Sequence, residues 1–330
     1  MLKSFFKNKN LLLTGGTGSF GMSFIDYLLK NKLPLKKIII FSRDELKQFE
    51  MSKIYSQDKY PNLRYFIGDI RDRDRLKLAL NEVDFVVHAA ALKQVPTAEY
   101  NPFEFIKTNV LGAQNLIESC LGSSVKNVIS LSTDKASSAI NLYGATKLCS
   151  DKLFIASNNI RGKQNIKFSI IRYGNVMGSR GSVLRTFLSQ KEKGVLTVTD
   201  KNMTRFNINM HSAINLAFYA LLNAKGGEIF IPKMKSFYIT DLAKAISKNL
   251  KIKIIGIRPG EKVHEEMISP YDALNTLDLG KYYAILNSQN KIFYSKGNYK
   301  FVPKDFSYNS KTNIDFLNVL QLKEIIKNFV

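Results

Sequence analysis

The chain has no tryptophan and only two cysteines in 330 residues. Cys120 and Cys149 lie far apart and lack metal-ligand spacing, so neither a disulfide scaffold nor a cysteine metal site is expected, and both read as free thiols of a cytoplasmic protein. No uncharged run approaches the roughly 18 residues of a spanning helix. The start, "MLKSFFKNKN", does not read as a signal peptide. Acidic residues are scarce too, 27 against 49 basic, for a net charge of +22. The lysines are scattered without a basic block or an RNA-binding aromatic signature, so the charge reads as general solubilisation, or as a field favouring anionic small molecules, and not as a nucleic-acid interface. At 45% apolar the chain is too hydrophobic for a disordered polymer.

What is present is an alternation. Apolar strand-like runs at 10–16, 36–42, 63–69, 83–91, 125–133 and 167–175 are separated by amphipathic segments at 19–31, 72–81, 103–121 and 143–160. Such alternation predicts an α/β protein with a Rossmann-type, doubly wound parallel sheet covered on both faces. Past residue 176 the alternation weakens. Helical spacing persists at 211–224, 239–250 and 316–329, and short strands are read in "GGEIFIP" and "IKIIGI". About 150 residues per domain suggests two units. No Gly/Ser- or Pro-rich linker separates them, so the division is a dinucleotide-binding domain over 1–175 and a smaller interleaved substrate domain over 176–330, with a segment near 205–225 rejoining the first.

"TGGTGSFG" follows the first strand and opens a helix. Gly15, Gly18 and Gly21 permit the tight turn and the close approach of a pyrophosphate, and Ser19 and Phe20 begin a helix whose N-terminus presents free N–H groups. An NAD-binding chain usually ends its second strand on Asp or Glu. Here the strand ends on Ser42 and Arg43, with Lys47 one turn on, which suits a 2′-phosphate; the expected cofactor is NADP, despite a carboxylate at Asp44. Asp69 and Ile70 are placed for the adenine, and Ala89 in "HAAA" for the ribose and nicotinamide side.

Tyr143 and Lys147 share a helix face, four residues apart, downstream of a strand ending in Ser132–Thr133. A cation near the phenol is expected to lower its pKa and let it take a proton from a substrate alcohol. With the glycine motif in front of it, this strip resembles the extended short-chain dehydrogenase/reductase family over essentially the whole chain. The neighbours Asp134 and Lys135 add an acid and a base that a plain dehydrogenase or 4-epimerase does not need. In many sugar-nucleotide 4,6-dehydratases the corresponding pair is Asp-Glu. The Asp-Lys pair, together with "FSRDELKQFEM", "HAAALKQVPTAEYNPFEFIKTNVLGAQN", "RYGNVMGSRGSV", "MTRF" and "IIGIRPGEKVHEEMI", resembles the C5-inverting UDP-N-acetylglucosamine 4,6-dehydratases of the pseudaminic acid pathway.

That resemblance implies oxidation at C4, loss of water across C5 and C6, and return of hydride to C6. It implies Lys135 as the C5 base, Asp134 as the C6 acid, Tyr143 at the C4 hydroxyl, Thr133 bonded to that hydroxyl and Lys147 at the ribose. Lys135 acts as a base only when neutral, and crowding by Lys147 and the nicotinium charge is expected to favour that form. The resemblance further implies Asn175, Arg180, Arg205, Arg258 and Glu261 as contacts to UDP-GlcNAc, and a homo-oligomer, with hexamers known among such enzymes; Lys93, after the fourth strand, is a further candidate for the sugar or phosphate. The chain departs from the family at Ala139 (usually Pro), at Val183–Leu184–Arg185 and at Asn207 (usually Trp), which bears on sugar preference. C5-retaining dehydration, simple 4-epimerisation and non-catalytic nucleic-acid or partner binding remain the alternatives.

Overall fold

In the computed structural model, six parallel strands stand side by side: β1 (Asn10–Thr14), β2 (Lys37–Ser42), β3 (Leu63–Ile67), β4 (Phe85–His88), β5 (Asn127–Thr133) and β6 (Lys167–Tyr173). The structure describes residues 2–179, 181–288, 290–294 and 299–329. Their order, 3-2-1-4-5-6, reverses between β1 and β4, which opens a crevice at the carboxyl ends of those strands. β1, "NLLLT", is buried at every position, as a strand covered on both faces must be. Ile229–Pro232 extends the sheet in parallel beyond β6, and Tyr282–Ile285, Thr276–Asp278 and Lys300–Phe301 finish it antiparallel.

One apolar core fills both faces of this sheet, and it includes chain from well past residue 176. Helix Met210–Asn223 sets Phe218 against Phe24 of helix Ser19–Lys30, with ring centroids 5.1 Å apart. A second core, built around Leu184, Phe187, Leu196, Phe237, Leu242, Leu322 and Ile326, brings helix Ile239–Ile246 against helix Val319–Ile326. Three short strands, Asn175–Val176, Thr204–Ile208 and Lys235–Tyr238, lie between the two. Among the described residues no helix is long and apolar enough to cross a membrane.

Several expected elements end early. The fourth strand stops at His88, because Ala89 and Ala90 turn over to give their N–H groups to Thr14 Oγ1. The helix expected over 103–121 is interrupted by a π-helical stretch, Ile106–Leu111, before Gly112–Leu121 continues as α-helix. The wider turn carries Asn109 inward, where it clasps the N–H and C=O of Leu92 at 2.9 Å each and reaches Thr146. The helix expected over 239–250 ends at Ile246, and the closing helix occupies only Val319–Ile326.

Candidate active site

The crevice is a cavity of about 590 Å³. Gly15, Gly18, Ser19, Phe20, Gly21, Ala89, Lys93, Thr133, Asp134, Lys135, Tyr143, Lys147, Asn175, Arg205, Arg258 and Glu261, all singled out in the sequence, line it. Arg180 lies outside the described residues. Ser42, Arg43, Lys47, Asp69 and Ile70 do not line this cavity; they form a second group at the ends of β2 and β3, where Arg43 stands 3.7 Å from Asp69 and Lys47 pairs with Asp44. Asp69 is also clasped by Arg71, and its carboxyl stays below its ordinary range because these cations outweigh its burial.

The glycine turn fits a dinucleotide by its geometry. Gly15 has φ +66°, and a Cβ there would sit 2.7 Å from the Ala90 nitrogen. Helix Ser19–Lys30 starts with Gly18 as its N-cap and no side-chain cap, and its first residues, Ser19, Phe20 and Gly21, line the cavity.

Opposite, Thr133 closes β5 in extended backbone and a single 3₁₀ turn, Asp134–Ala136, follows. Thr133 Oγ1 donates to Asp134 Oδ1 at 2.8 Å. The helix carrying Tyr143 and Lys147, Leu142–Ile160, is capped by Asn141, whose Oδ1 accepts from Gly144 at 2.8 Å. Gly144 has no room for a side chain against the Lys135 carbonyl, so the helix start rests directly on the acid–base turn. This close approach brings residues of two separate elements into one cavity.

Glu265 is a cavity residue that the sequence motifs did not single out. It is 1% exposed and lines the cavity. Lys135 Nζ donates to Asp134 Oδ1 at 3.1 Å and to Glu265 Oε1 at 3.2 Å. Arg205 stands 3.6 Å from Glu265 and 3.7 Å from Glu261, and spends further donors on the carbonyls of Thr204, Lys262 and Val263. Arg258 pairs with Glu261 at 2.9 Å. No local motif announces Glu265: it stands 130 residues from Lys135 in a segment whose other charged residues look equally apt.

The protonation balance differs from two expectations. Burial works to lower the Lys135 ammonium, but the charges of Asp134 and Glu265 outweigh it, so the pKa is raised; crowding does not leave the amine neutral. The Tyr143 phenol is not lowered either. Burial pushes it up to about 12, against the opposing pull of Lys135 and the hydrogen bond with Thr133. Lys147, 3% exposed, does move down: burial lowers it, with Asp151 only partly compensating. Asp134 is raised by burial and by Glu265.

Beneath the strip lies a buried layer the sequence did not reveal. Asp151 accepts from Ser132 at 2.7 Å and pairs with Arg172 of β6 at 3.3 Å. His88 Nδ1 meets Thr14 Oγ1 at 2.7 Å, and burial, helped by the Lys147 charge, pulls its pKa down to about 3. Among the described residues no cluster of His, Cys, Asp or Glu is arranged to hold a metal ion.

A 3-2-1-4-5-6 sheet with a glycine turn after its first strand, and a Thr–Tyr–Lys strip after its fifth, defines a short-chain dehydrogenase/reductase of the extended, sugar-nucleotide type. The chain belongs to the polysaccharide biosynthesis protein family, whose model matches residues 11–287. It is 50% identical to "UDP-N-acetylglucosamine 4,6-dehydratase (inverting)" of Campylobacter jejuni subsp. jejuni serotype O:2, across 98% of each chain. It is 41% identical to "UDP-glucose 4-epimerase" of Rickettsia canadensis, across 97% of this chain and 96% of that one. Among solved structures, Pen from Bacillus thuringiensis superposes with a TM-score of 0.90 at 38% identity, covering 98% of both chains.

Proposed function

We infer that the protein is a UDP-N-acetylglucosamine 4,6-dehydratase that inverts C5, a hydro-lyase of nucleotide sugars. The observation that carries this reading is Lys135 beside Asp134 in the same cavity as Tyr143: an acid and a base beyond what alcohol oxidation requires. The 50% identity to relatives of that name supports the substrate.

Tyr143 takes the C4 hydroxyl proton, and Thr133 orients that hydroxyl. A nicotinamide dinucleotide, when bound, supplies the acceptor that stores the C4 hydride and gives it back at C6. The C4 ketone acidifies the C5 proton. Lys135, as the free amine, removes it, while Asp134, as the carboxylic acid, protonates the C6 oxygen so that water leaves. Lys147 anchors the ribose. Arg205, Arg258, Glu261, Lys93 and Asn175 hold the UDP-sugar, with arginine forks suited to the diphosphate. Ser42, Arg43 and Lys47 favour NADP over NAD through a 2′-phosphate, and Asp69 and Ile70 border the adenine. A substrate unit centred on the second apolar core, a homo-oligomeric assembly and a role in pseudaminic acid synthesis complete the proposal.

The test is incubation with UDP-GlcNAc. The expected product is lighter by one water, and NMR in deuterated water shows exchange and inversion at C5. The Rickettsia relatives favour one second reading, 4-epimerisation. A product of unchanged mass, UDP-GalNAc, would establish it and overturn dehydration.

A further inference from the structure

Lys135 touches two carboxylates, and their surroundings are unequal. Glu265 is backed by a second cation, Arg205 at 3.6 Å. Asp134 Oδ1 accepts from Lys135 at 3.1 Å and from Thr133 at 2.8 Å, and the residue is 1% exposed with no second cation beside it among the described residues. Each carboxylate keeps one buried oxygen, Asp134 Oδ2 and Glu265 Oε2, without a hydrogen-bond partner among the described residues. Two carboxylates and two cations in so small a volume are neutral overall. Elimination, however, requires a neutral amine and a protonated acid, the reverse of the charges that an ammonium–carboxylate pair at 3.1 Å would carry.

Resting on the dehydratase reading, we propose that Glu265 is a positioning residue whose fixed negative charge, held between Lys135 and Arg205, makes Asp134 and Lys135 share one proton. A single transfer from Lys135 Nζ to Asp134 Oδ1 then generates the base and the acid together.

The balance closes. The N–H bond of Lys135 breaks and an O–H bond forms on Asp134, with no change in cluster charge. The amine next takes the C5 proton while the carboxylic acid protonates the C6 oxygen; the C6–O bond breaks and water departs. Lys135 is again an ammonium and Asp134 a carboxylate, the state from which the transfer began.

Glu265 matters because like charges close together cannot both stay ionised without compensation. Burial raises Glu265, but Lys135, Arg205 and Lys262 outweigh that and keep it below its ordinary range. Asp134, raised by burial and by Glu265, is therefore the carboxylate that accepts the proton. The other groups facing the cluster are Arg205 on strand Thr204–Ile208, Lys262 on the loop that carries Glu265 and Tyr143 on helix Leu142–Ile160; Glu261 and His264 lie near Arg205 in turn.

Removing the Glu265 charge lowers the proton affinity of both partners. In Glu265→Gln, both limbs of the kcat–pH profile with UDP-GlcNAc should therefore move to lower pH, by about 1–2 on the pH scale. Glu265→Asp, which keeps the charge, should restore the wild-type limbs even if its rate is lower. Infrared difference spectra of wild type against Asp134→Asn follow the protonated carboxyl directly and need no turnover. Its midpoint should fall in the Glu265→Gln background by the same amount. Limbs and carboxyl midpoint unmoved in a folded Glu265→Gln protein would overturn the proposal. Should Gln not fold, an Asp variant whose limbs move like those of an uncharged residue would overturn it too. If wild type turns over no UDP-GlcNAc, the dehydratase reading fails, while the infrared midpoint still decides whether Glu265 sets the shared proton.

Discussion

Lys135 and Glu265 are 130 residues apart in the chain and 3.2 Å apart across the cavity, and their contact adds to that of Asp134 in raising the pKa of the lysine. Lys135 is thereby an ammonium at rest, stabilised by two carboxylates, and becomes a base only by giving its proton away.

Lys135→Ala removes the C5 base and should lower dehydration by about 10²–10⁴-fold, the usual worth of a general base. Tyr143, Thr133 and Lys147 remain, so oxidation at C4 should continue. Mass spectrometry of the product, beside exchange of deuterium between a labelled reduced cofactor and C4, separates the two steps. Water loss at the wild-type rate would remove Lys135 from the chemistry.

Thr133→Val deletes a hydroxyl whose proton, when turned from Asp134 to Tyr143, pulls the phenol down against its burial. The phenol must then rise from about 12, and the rising limb of C4 oxidation should move to higher pH. The rate at neutral pH should drop about tenfold for every pH unit that the limb moves. Stopped-flow formation of reduced nicotinamide across pH reads this limb.

His88 is held neutral, with its pKa pulled by burial from 6.5 to about 3. The folded protein thus binds fewer protons than the unfolded chain between those values. Its contribution to stability is complete above pH 6.5 and is lost as pH falls toward 3, by up to about 1.4 kcal/mol per pH unit. Urea unfolding from pH 7 to 4 should show a flatter slope in His88→Gln than in wild type, whatever the variant's absolute stability.

Asp151→Asn leaves the buried Arg172 guanidinium without its counter-charge. Loss of one partner of such a pair costs about 3–5 kcal/mol. Chemical denaturation should register a drop of that order; a change below about 1 kcal/mol would mean that the Arg172 bond to the Met267 carbonyl suffices.

Arg43 stands at the end of β2 with its guanidinium half-exposed, 3.7 Å from Asp69. If it holds a 2′-phosphate, Arg43→Ala should weaken NADP binding by about 10- to 100-fold, as expected for a charge-assisted hydrogen bond, and leave NAD binding unchanged. Calorimetry with each cofactor gives the ratio.

The strands themselves and the glycine turn were legible because each depends on short contiguous stretches. "NLLLT" and "KIIIFS" can only be covered strands, and Gly15 can adopt its positive φ without strain. Element ends were less legible. The π turn at Ile106–Leu111 answers to Asn109 reaching Leu92, and the early end of β4 to Thr14 collecting two N–H groups. Neither partner is near in sequence, so no periodicity announces it.

The sequence by itself determined which chemical groups this protein owns: the Tyr–Lys strip, the adjacent Asp134 and Lys135, and the absence of a cysteine metal pattern. Tertiary structure alone decided their protonation. Burial moves Lys147 down and Tyr143 up, and it would move Lys135 down as well, were it not for Glu265 and Asp134. Proton affinity follows the field of every nearby charge, and that field is set by distances the chain acquires only when remote segments pack together.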